Sequence, residues 1–230
     1  MDKLEIIYED NHLIAINKKP GQISQGDKTK DIPLVELVRQ HLKEKYQKPG
    51  NVFTGLVHRI DRPVSGILLF AKTSKANERM SKIIRERNFH KTYWAVVKNK
   101  PEPAEGTLKH YLVKNPHMNK SFAYPEERPD SKLAVLHYKL LAASDRYFLL
   151  EVDPETGRHH QIRVQLASIK CPIKGDIKYG FDRTNKDGSI HLHARKLEFL
   201  HPVKNEPVVI VADPPDDPVW NAFKNEGMKE

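Results

Sequence analysis

The sequence predicts an α+β protein with a mixed, largely antiparallel sheet. Many short runs rich in Ile, Val, Tyr and Phe are typical of strands, and several alternate apolar with polar residues. Three stretches have the spacing of amphipathic helices, and they do not alternate regularly with the strands, which disfavours a doubly wound parallel fold. Strands are predicted at residues 4–8, 13–17, 67–72, 93–98, 107–113, 134–141, 147–152, 192–199 and 208–211.

The three predicted helices begin near residue 33, after residue 73 and at the turn formed by residues 156–157. Asp31 is the expected cap of the first helix, and Thr73 or Ser74 is the expected cap of the second. Helical spacing predicts buried faces made of Leu34, Val38 and Leu42 in the first, Ala76, Met80, Ile83 and Ile84 in the second, and Ile162, Leu166 and Ile169 in the third.

Loops are predicted at residues 98–106, 115–130 and 181–189. We find no internal repeat and no linker that divides the chain, so one domain is expected over residues 1–213. Residues 214–230 are acidic and open with several prolines, and we expect them to form a loosely packed tail.

The charge of the chain favours a polyanionic partner. Thirty-nine Lys and Arg residues against 30 Asp and Glu residues give a formal net charge of +9. The excess is uneven, because residues 72–91 contain seven basic and two acidic side chains. A basic stretch also occurs on ordinary solvated surfaces, so charge alone leaves nucleic-acid binding open.

Cysteine content and apolar runs exclude several classes of protein. The single cysteine, Cys171, excludes an intramolecular disulfide and any site that needs several cysteines, and a reducing cytoplasm is the expected location. The longest apolar runs fall far short of the ~18 residues that a membrane span needs. The acidic first ten residues are unlike a targeting peptide.

Residues 58–66 contain the densest group of candidate functional side chains. Asp61 lies between Arg59 and Arg62, at a turn that enters a continuous apolar strand. A carboxylate buried at such a place needs positive charge nearby to stay ionised. Two interpretations remain open from the residues alone: a structural ion pair that anchors the loop, or an anionic carboxylate held for nucleophilic or base chemistry.

The sequence TGRHHQIR at residues 156–163 forms a second cluster. Gly157 suits a tight turn, and the N-terminus of the following helix favours anions. Arg163 follows an apolar position, so it either reaches a buried carboxylate or remains an exposed helix arginine.

The histidines do not predict a metal site. Adjacent positions on a helix point ~100° apart, so His159 and His160 cannot both face one ion. His191 and His193 share a strand face, but no further ligand motif accompanies them. Nucleotide-binding and lipase-like serine motifs are also missing from the sequence. The strand pattern around Tyr93 predicts, by itself, that this residue is an aromatic residue of the core.

Together these segments resemble the RluA family of pseudouridine synthases. HRIDRPVSGILLFAK at residues 58–72 is similar to the family pattern HRLDRxTSGLLLFAK. Shorter matches support it in the same order along the chain, so that the resemblance runs from about residue 4 to residue 213. They are AINKKPG at 15–21, KTY at 91–93, TGRHHQIR at 156–163, PIKGDIKYG at 172–180 and LHARKLEFLHP at 192–202.

The departures from the family pattern are modest. Val64 replaces the usual threonine, and Gln165 and Cys171 stand where histidines are common, which puts fine substrate contacts in doubt. Many relatives carry an additional small RNA-binding domain before the catalytic one. Because this chain opens with catalytic strands, we expect target selection to rest on the catalytic domain itself.

The resemblance implies a catalytic domain over residues 1–213, with a mixed, mainly antiparallel eight-stranded sheet in two halves, accompanying helices and a central active-site cleft. It implies an isomerase that converts specific uridines of structured RNA into pseudouridine by base flipping, without a cofactor or metal. The non-catalytic alternative is an RNA-binding protein of the same fold, and a metal-dependent hydrolase using His191 and His193 is a weaker one.

The resemblance also implies roles for individual residues. Asp61 is the essential carboxylate, which either attacks the ribose anomeric carbon or removes the 2′ proton. Arg163 pairs with Asp61, and Tyr93 stacks on the uracil and is a candidate for removing the carbon 5 proton. Arg59 enters the RNA where the base has left, and residues 72–91 track the backbone. The implied RNA-binding residues are His58, Arg59, Arg62, Lys72 and Arg158.

The identity of the RNA remains open at this stage. Ribosomal large-subunit RNA and transfer RNA are both substrates within the family, and we favour ribosomal RNA slightly because such members are common. A monomer is the expected oligomeric state.

Overall fold

The computed structural model describes residues 4–26 and 31–227, with side chains to residue 223. The chain divides into two compact units. Unit 1 contains Met1–His90 and Ala194–Pro214, and unit 2 contains Lys91–His193 and Pro215–Glu230. None of the helices in the described ranges is long and apolar enough to cross a membrane.

The described residues form eleven strands and four α-helices. The strands are β1 (Ile6–Glu9), β2 (Leu13–Lys18), β3 (Gly55–Leu56), β4 (Ser65–Ala71), β5 (Phe89–Val97), β6 (Glu105–Asn115), β7 (Lys120–Tyr124), β8 (Lys132–Ala143), β9 (Phe148–Pro154), β10 (Leu192–Leu200) and β11 (Pro207–Val211). The helices are α1 (Leu34–Lys45), α2 (Ser74–Arg85), α3 (Gln161–Ser168) and α4 (Pro218–Gly227), and a 3₁₀ helix spans Ile177–Tyr179.

Each unit is built on antiparallel strand pairs. In unit 1 the strand order is β1-β2-β4-β10, with β3 paired to β4 and β11 paired to β10. In unit 2 the order is β5-β9-β8-β6-β7, and each of these neighbouring pairs is antiparallel. The predicted α+β class with mainly antiparallel pairing is confirmed. The number of described strands is eleven rather than the eight implied, because short strands such as the two-residue β3 are included.

Every predicted strand has a counterpart in the structure, but β3 and β7 were not predicted. Strand β7 lies inside residues 115–130, which the sequence placed in a loop, so that prediction is wrong there. Its sequence, KSFAY, is short, and Ser121 is its single fully buried residue. Pairing with the long neighbour β6 stabilises it, and a local pattern does not report such pairing.

Two of the predicted helix starts differ from the structure. Asp31 does not cap α1, whose N-cap is Pro33 without a side-chain hydrogen bond. The predicted cap of α2 is confirmed, since the Thr73 hydroxyl oxygen accepts a hydrogen bond from the Ala76 N–H at 3.1 Å. Helix α3 begins at Gln161 rather than at the preceding turn, because its N-cap His160 has a left-handed backbone with φ 54°.

The apolar faces of these helices largely follow the predicted spacing. Leu34, Val38 and Leu42 are buried in α1, as are Ala76 and Met80 in α2 and Ile162 and Leu166 in α3, whereas Ile83, Ile84 and the C-cap residue Ile169 are only partly buried.

Residues 214–223, the part of the C-terminal segment whose side chains are described, are packed, which corrects the sequence-based expectation of a loosely packed tail there. Helix α4 buries Trp220 and Phe223 against Trp94, Val96 and Leu149 of unit 2. Its first turn begins with a proline, and the carboxylate of the preceding residue, Asp217, accepts hydrogen bonds from the backbone. Proline and acid content suggested disorder, but the same residues are typical of a helix start.

The core of unit 1 holds β2, β4, α2 and β10 together, and it positions the segment that precedes β4. Gly66 in β4 has φ +110°, and a Cβ atom there would lie 2.3 Å from the carbonyl oxygen of Ala194 in β10. Only glycine permits this close approach of the two strands. The backbone directly after Asp61 is therefore fixed by packing.

Candidate active site

Asp61 lies in unit 1 on the segment between β3 and β4, residues 57–64, which we call the Asp61 segment. The segment closes in a turn where the Val64 N–H donates to the carbonyl oxygen of Asp61 at 3.1 Å. A second backbone bond runs from the Gly21 N–H to the Arg62 carbonyl oxygen at 2.9 Å. Asp61 as a residue is half-buried.

Lys18, at the end of β2, supports the Asp61 segment by hydrogen bonds to its backbone. Its side chain is almost fully buried, and Nζ donates to the carbonyl oxygens of Val64 at 2.6 Å and Arg62 at 3.1 Å. A third bond reaches the carbonyl oxygen of Lys19 at 3.1 Å. These bonds fix the backbone on the C-terminal side of Asp61.

The pKa of Lys18 depends on burial and on the charges of Asp61 and Arg62. Burial disfavours the ammonium form and lowers the pKa of Lys18 to about 7, while the Asp61 charge acts in the opposite direction and Arg62 adds to the lowering. Lys18 was quoted within the AINKKPG match but was not predicted as a site residue. The available signal was a lysine that closes the strand-like run LIAIN, whose first four residues are apolar.

The neighbours of Asp61 differ in what they can contact. Arg59 is exposed, as an RNA-binding residue requires. Arg62 is also exposed, and its Nη2 lies 2.6 Å from the Asp31 carboxylate. His58 is half-buried: its Nε2 accepts a hydrogen bond from the Leu69 N–H at 3.3 Å. His58 therefore supports the segment, and its predicted RNA contact stays a prediction.

Lys72 does not reach the surface as an RNA-binding residue would. It is 7% exposed, and Nζ donates to the Glu9 carboxylate at 2.9 Å, the Asp10 carbonyl oxygen at 2.6 Å and the Tyr46 hydroxyl at 3.1 Å. Burial alone would raise the pKa of Glu9, but hydrogen bonds from Lys45, Lys72 and Tyr46 lower it to about 2. The structure therefore does not support the predicted RNA contact of Lys72.

The basic residues of α2 are exposed, whereas Lys91 in β5 is half-buried and burial lowers its pKa. The four in α2 lie on its exposed face, opposite Ala76 and Met80. Their contacts include a surface ion pair between Lys82 and Glu86 at 3.8 Å and a hydrogen bond from Arg79 to the Pro202 carbonyl oxygen at 3.3 Å. The exposed face comprises Lys75, Arg79, Lys82 and Arg85.

Tyr93 lies in unit 2, on β5, opposite Val152 of β9. The residue is buried, as its core-like pattern predicted. Its neighbour Trp94 is part of the hydrophobic cluster with Trp220 and Phe223 of α4. Tyr93 is thus held on a rigid strand of unit 2.

Arg163 extends inward from α3 and forms a buried ion pair within unit 2. Nε donates to Oδ2 of Asp176 at 2.7 Å, and Nη2 donates to Oδ1 at 2.8 Å. Arg163 is 5% exposed and Asp176 is 2% exposed. The interpretation of Arg163 as an exposed helix arginine is therefore wrong. Its predicted pairing with Asp61 stays a prediction.

Asp176 was missed by the sequence analysis, although it lies in the quoted match PIKGDIKYG. An aspartate between glycine and isoleucine has no local pattern that marks it as buried. The available signal was an acidic residue without an assigned role, inside a segment that matches the family. Its partner became evident only from the three-dimensional placement of α3 and the 3₁₀ helix Ile177–Tyr179.

Tyr179 places its ring beside the same guanidinium group. The ring centroid lies 5.2 Å from Cζ of Arg163. The Tyr179 hydroxyl accepts a hydrogen bond from the Ser121 N–H at 2.8 Å and lies 2.9 Å from Nδ1 of His160. Burial, followed by the charge of Arg163, lowers the pKa of His160 to about 2, so its imidazole is neutral at ordinary pH.

The other candidate residues of unit 2 have protein partners. His159 stacks on His160 with ring centroids 3.8 Å apart and approaches the Ser121 hydroxyl at 2.9 Å. Arg158 is exposed, and Nε donates to the Leu133 carbonyl oxygen at 2.9 Å. The ring of His191 stacks on Trp220 and contacts Asp217 at 2.9 Å.

His193 also packs edge-on against Trp220. Across residues 4–26 and 31–227, no group of three or more His, Cys, Asp or Glu side chains is arranged to hold a metal ion. The two histidines that shared a strand face in the sequence analysis therefore contact α4.

The three departures from the family pattern are all buried. Val64, Gln165 and Cys171 are each at most 2% exposed. Nε2 of Gln165 donates to the carbonyl oxygen of Leu108 at 3.0 Å, so it links α3 to β6. In this structure these substitutions alter internal packing rather than a surface open to RNA.

Comparisons with known proteins agree with this set of motifs. The family profile described as RNA pseudouridylate synthase matches residues 12–168. A tRNA pseudouridine synthase C of Pectobacterium carotovorum subsp. carotovorum is 33% identical over 249 residues, which cover 98% of this chain and 63% of that protein. The protein of the same name from Vibrio cholerae serotype O1 is 32% identical over 244 residues, covering 97% and 95%.

A solved structure shows the fold. Human RNA Pseudouridylate Synthase Domain Containing 4 superimposes with a TM-score of 0.79 at 24% identity, covering 95% of this chain and 92% of that one. The pseudouridine synthase fold implied by the resemblance is therefore confirmed.

The profile match covers more than half of the chain, and the chain therefore belongs to the RNA pseudouridylate synthase family. It is an isomerase that acts on RNA, as the motifs predicted. The chain spans just under two thirds of the Pectobacterium relative and nearly all of the Vibrio one.

Proposed function

We propose that this chain converts a uridine of transfer RNA into pseudouridine and that Asp61 is the carboxylate on which the reaction depends. The observation that carries the assignment of Asp61 is the placement of this half-buried residue on a backbone that the hydrogen bonds of Lys18 hold fixed. A reactive group held on a rigid support is what positional catalysis requires.

The reaction balances without a further reactant. The bond between ribose C1′ and uracil N1 breaks, the base rotates, and C1′ joins carbon 5. N1 ends with a proton, and carbon 5 loses one. Asp61 serves either by attacking C1′ or by removing the 2′ proton, and both routes require the anionic form.

The supporting roles follow the charges and rings of the motif residues. We assign to Arg163 the positive charge that keeps Asp61 anionic. Tyr93 supplies an aromatic ring for stacking on the uracil, and Arg59 supplies an exposed guanidinium to replace the flipped base in the RNA stack. Arg62, Arg158 and the exposed basic face of α2 provide contacts to phosphates.

Transfer RNA is preferred to ribosomal RNA because of the relatives. Two proteins about a third identical to this chain are named tRNA pseudouridine synthase C. This replaces the slight preference for ribosomal RNA in the sequence analysis, and ribosomal RNA becomes the second candidate. The monomeric state and the cytoplasmic location stay predictions.

The experiment maps pseudouridine by carbodiimide-dependent primer extension on total RNA from cells with and without the gene. We expect a stop in transfer RNA to vanish in the deletion strain and to return with the wild-type gene but not with Asp61→Asn. A lost stop in ribosomal RNA instead would assign the second candidate. If no stop changes and the purified protein also leaves unmodified transcripts unchanged, the proposed function is wrong.

A further inference from the structure

We propose that Asp176 and Tyr179 form a clamp that positions Arg163, and that this Arg163 clamp is required for turnover rather than for RNA binding. The proposal deepens the proposed function and rests on it, because it gives Arg163 its orientation within that reaction. Both clamp residues lie in the family match PIKGDIKYG, and the resemblance gave neither of them a role.

The carboxylate of Asp176 fixes the plane of the guanidinium group. Two parallel hydrogen bonds of 2.7 and 2.8 Å join Nε and Nη2 of Arg163 to the two carboxylate oxygens. A bidentate pair of this kind is planar and directional, whereas a lysine or a single bond would leave rotation free. Both side chains are buried, so the pair is shielded from water and salt.

Tyr179 restrains the guanidinium group on a second side. Its ring lies 5.2 Å from Cζ of Arg163. The ring cannot turn away without losing two hydrogen bonds of its hydroxyl, one accepted from the Ser121 N–H of β7 and one shared with Nδ1 of His160. Tyr179 therefore links the position of Arg163 to a strand and to the N-cap of α3.

The backbone that carries both clamp residues is itself fixed. The Tyr179 N–H donates to the carbonyl oxygen of Asp176 at 3.1 Å. The preceding Gly175 has φ +87°, and a Cβ atom there would lie 2.7 Å from the Ser189 carbonyl oxygen and from the Asn185 amide. The backbone that carries Asp176 and Tyr179 is therefore fixed, and these two residues hold Arg163 in one orientation.

The buried pair of Asp176 and Arg163 differs from a surface ion pair in what its loss costs. One buried carboxylate balances one buried guanidinium, and removing it leaves a buried cation without its bidentate acceptor. Asp176→Asn keeps the size of the side chain but loses the charge and one of the two matched acceptors. The guanidinium group is then free to shift, and a misplacement of about 1 Å costs roughly a hundredfold in rate.

The test measures single-turnover rates at saturating RNA and, separately, the Kd for the same RNA, using the full chain and the transcript identified by the mapping. We expect Asp176→Asn to reduce the single-turnover rate about a hundredfold and to leave Kd within about twofold. Tyr179→Phe keeps the ring but loses both hydroxyl bonds, and we expect a smaller loss of about tenfold. Asp176→Glu restores the charge and should recover part of the rate.

Two matched variants in unit 2 control for substitution itself. Asp182→Asn removes the carboxylate of an exposed ion pair with Lys98, 2.7 Å apart. Tyr124→Phe removes the hydroxyl of a tyrosine whose ring centroid lies 3.9 Å from Cζ of Arg128. Both should turn over at the wild-type rate. If Asp176→Asn fails to fold, Tyr179→Phe with its control still decides.

The outcomes separate the clamp from the proposed function. An active wild-type protein and an inactive Asp61→Asn protein, together with normal rates for Asp176→Asn and Tyr179→Phe, would overturn the clamp alone. A rise in Kd equal to the loss in rate would show that the residues bind RNA, which also overturns the clamp. An inactive wild-type protein on every transcript would instead overturn the proposed function.

Discussion

At the residue scale, the site depends on buried polar side chains that fix the groups around them. Lys18 donates to two carbonyl oxygens of the Asp61 segment and to that of Lys19, and Asp176 accepts from two nitrogens of Arg163. Buried polar groups are costly unless they are paired, so these residues are held in place strongly. The chemistry assigned to Asp61 thus rests on neighbours that need not touch the RNA.

Lys18→Met tests the support of the Asp61 segment. Losing the ammonium leaves the carbonyl oxygens of Arg62 and Val64 buried without this donor, so we expect the free energy of unfolding to fall by about 2 kcal/mol. Turnover should fall as well, while RNA binding persists. Chemical denaturation and single-turnover kinetics measure these effects. The adjacent exposed residue gives a matched control, Lys19→Met, and equal behaviour of the two variants would contradict the assignment.

His160 predicts how stability depends on pH. Burial and nearby cations lower its pKa to about 2 in the folded chain, against an ordinary value of 6.5, so the unfolded chain binds the extra proton between these values. Stability from this group is therefore complete above about pH 6.5 and is lost as the pH falls towards 2.

The matched variant is His160→Asn, because asparagine tolerates the left-handed backbone at this position. Thermal unfolding between pH 7 and pH 4 should show a smaller loss of stability in the variant than in the wild-type chain. An identical decline in both proteins would mean that His160 is not the group responsible.

At the element scale, α4 completes the hydrophobic core of unit 2. Trp220 and Phe223 pack on Trp94, Val96 and Leu149 of β5 and β9, and Asp217 joins the start of the helix to His191. The acidic tail expected from composition is therefore a structural element. Its contribution is large because aromatic side chains bury extensive apolar surface.

Trp220→Ala measures that contribution. Removing a buried tryptophan should lower the free energy of unfolding by about 3 to 5 kcal/mol, through lost burial and the cavity that remains. Urea denaturation followed by circular dichroism reports the change. Asn221→Ala, at an exposed position of the same helix, should stay close to wild type. A loss below about 1 kcal/mol for Trp220→Ala would show that α4 packs weakly.

The sequence predicted elements well where the pattern was local and poorly where it depended on distant partners. Alternation and helical spacing located β2, β4, α1 and α2, because each has a strong apolar face of its own. Strand β7 was missed because its stability comes from pairing with β6. Helix α4 was missed because two buried aromatic residues outweigh the polar residues around them.

The residues of the candidate site were predicted or missed for the same reasons. Asp61, Tyr93 and Arg163 were predicted because they lie in recognisable motifs. Lys18 and Asp176 were not, since their importance comes from hydrogen bonds to residues 46 and 13 positions away in the sequence. His58 and Lys72 were assigned to RNA by their positions in a motif, yet both serve internal contacts.

At the scale of the whole molecule, charge and family agree on the partner. A net charge of +9 favours association with a polyanion, and membership of the RNA pseudouridylate synthase family identifies that polyanion as RNA. The exposed basic face of α2 in unit 1 and Arg158 in unit 2 distribute positive charge over both units.

The central claim is that Asp61 drives the isomerisation of uridine in transfer RNA. The most direct measurement uses unmodified transfer RNA transcripts that carry tritium at carbon 5 of uridine, because formation of pseudouridine releases that tritium into water. Wild-type protein should release tritium, and Asp61→Asn should release none while binding the same transcript with similar affinity. Release by Asp61→Asn at the wild-type rate would contradict the account.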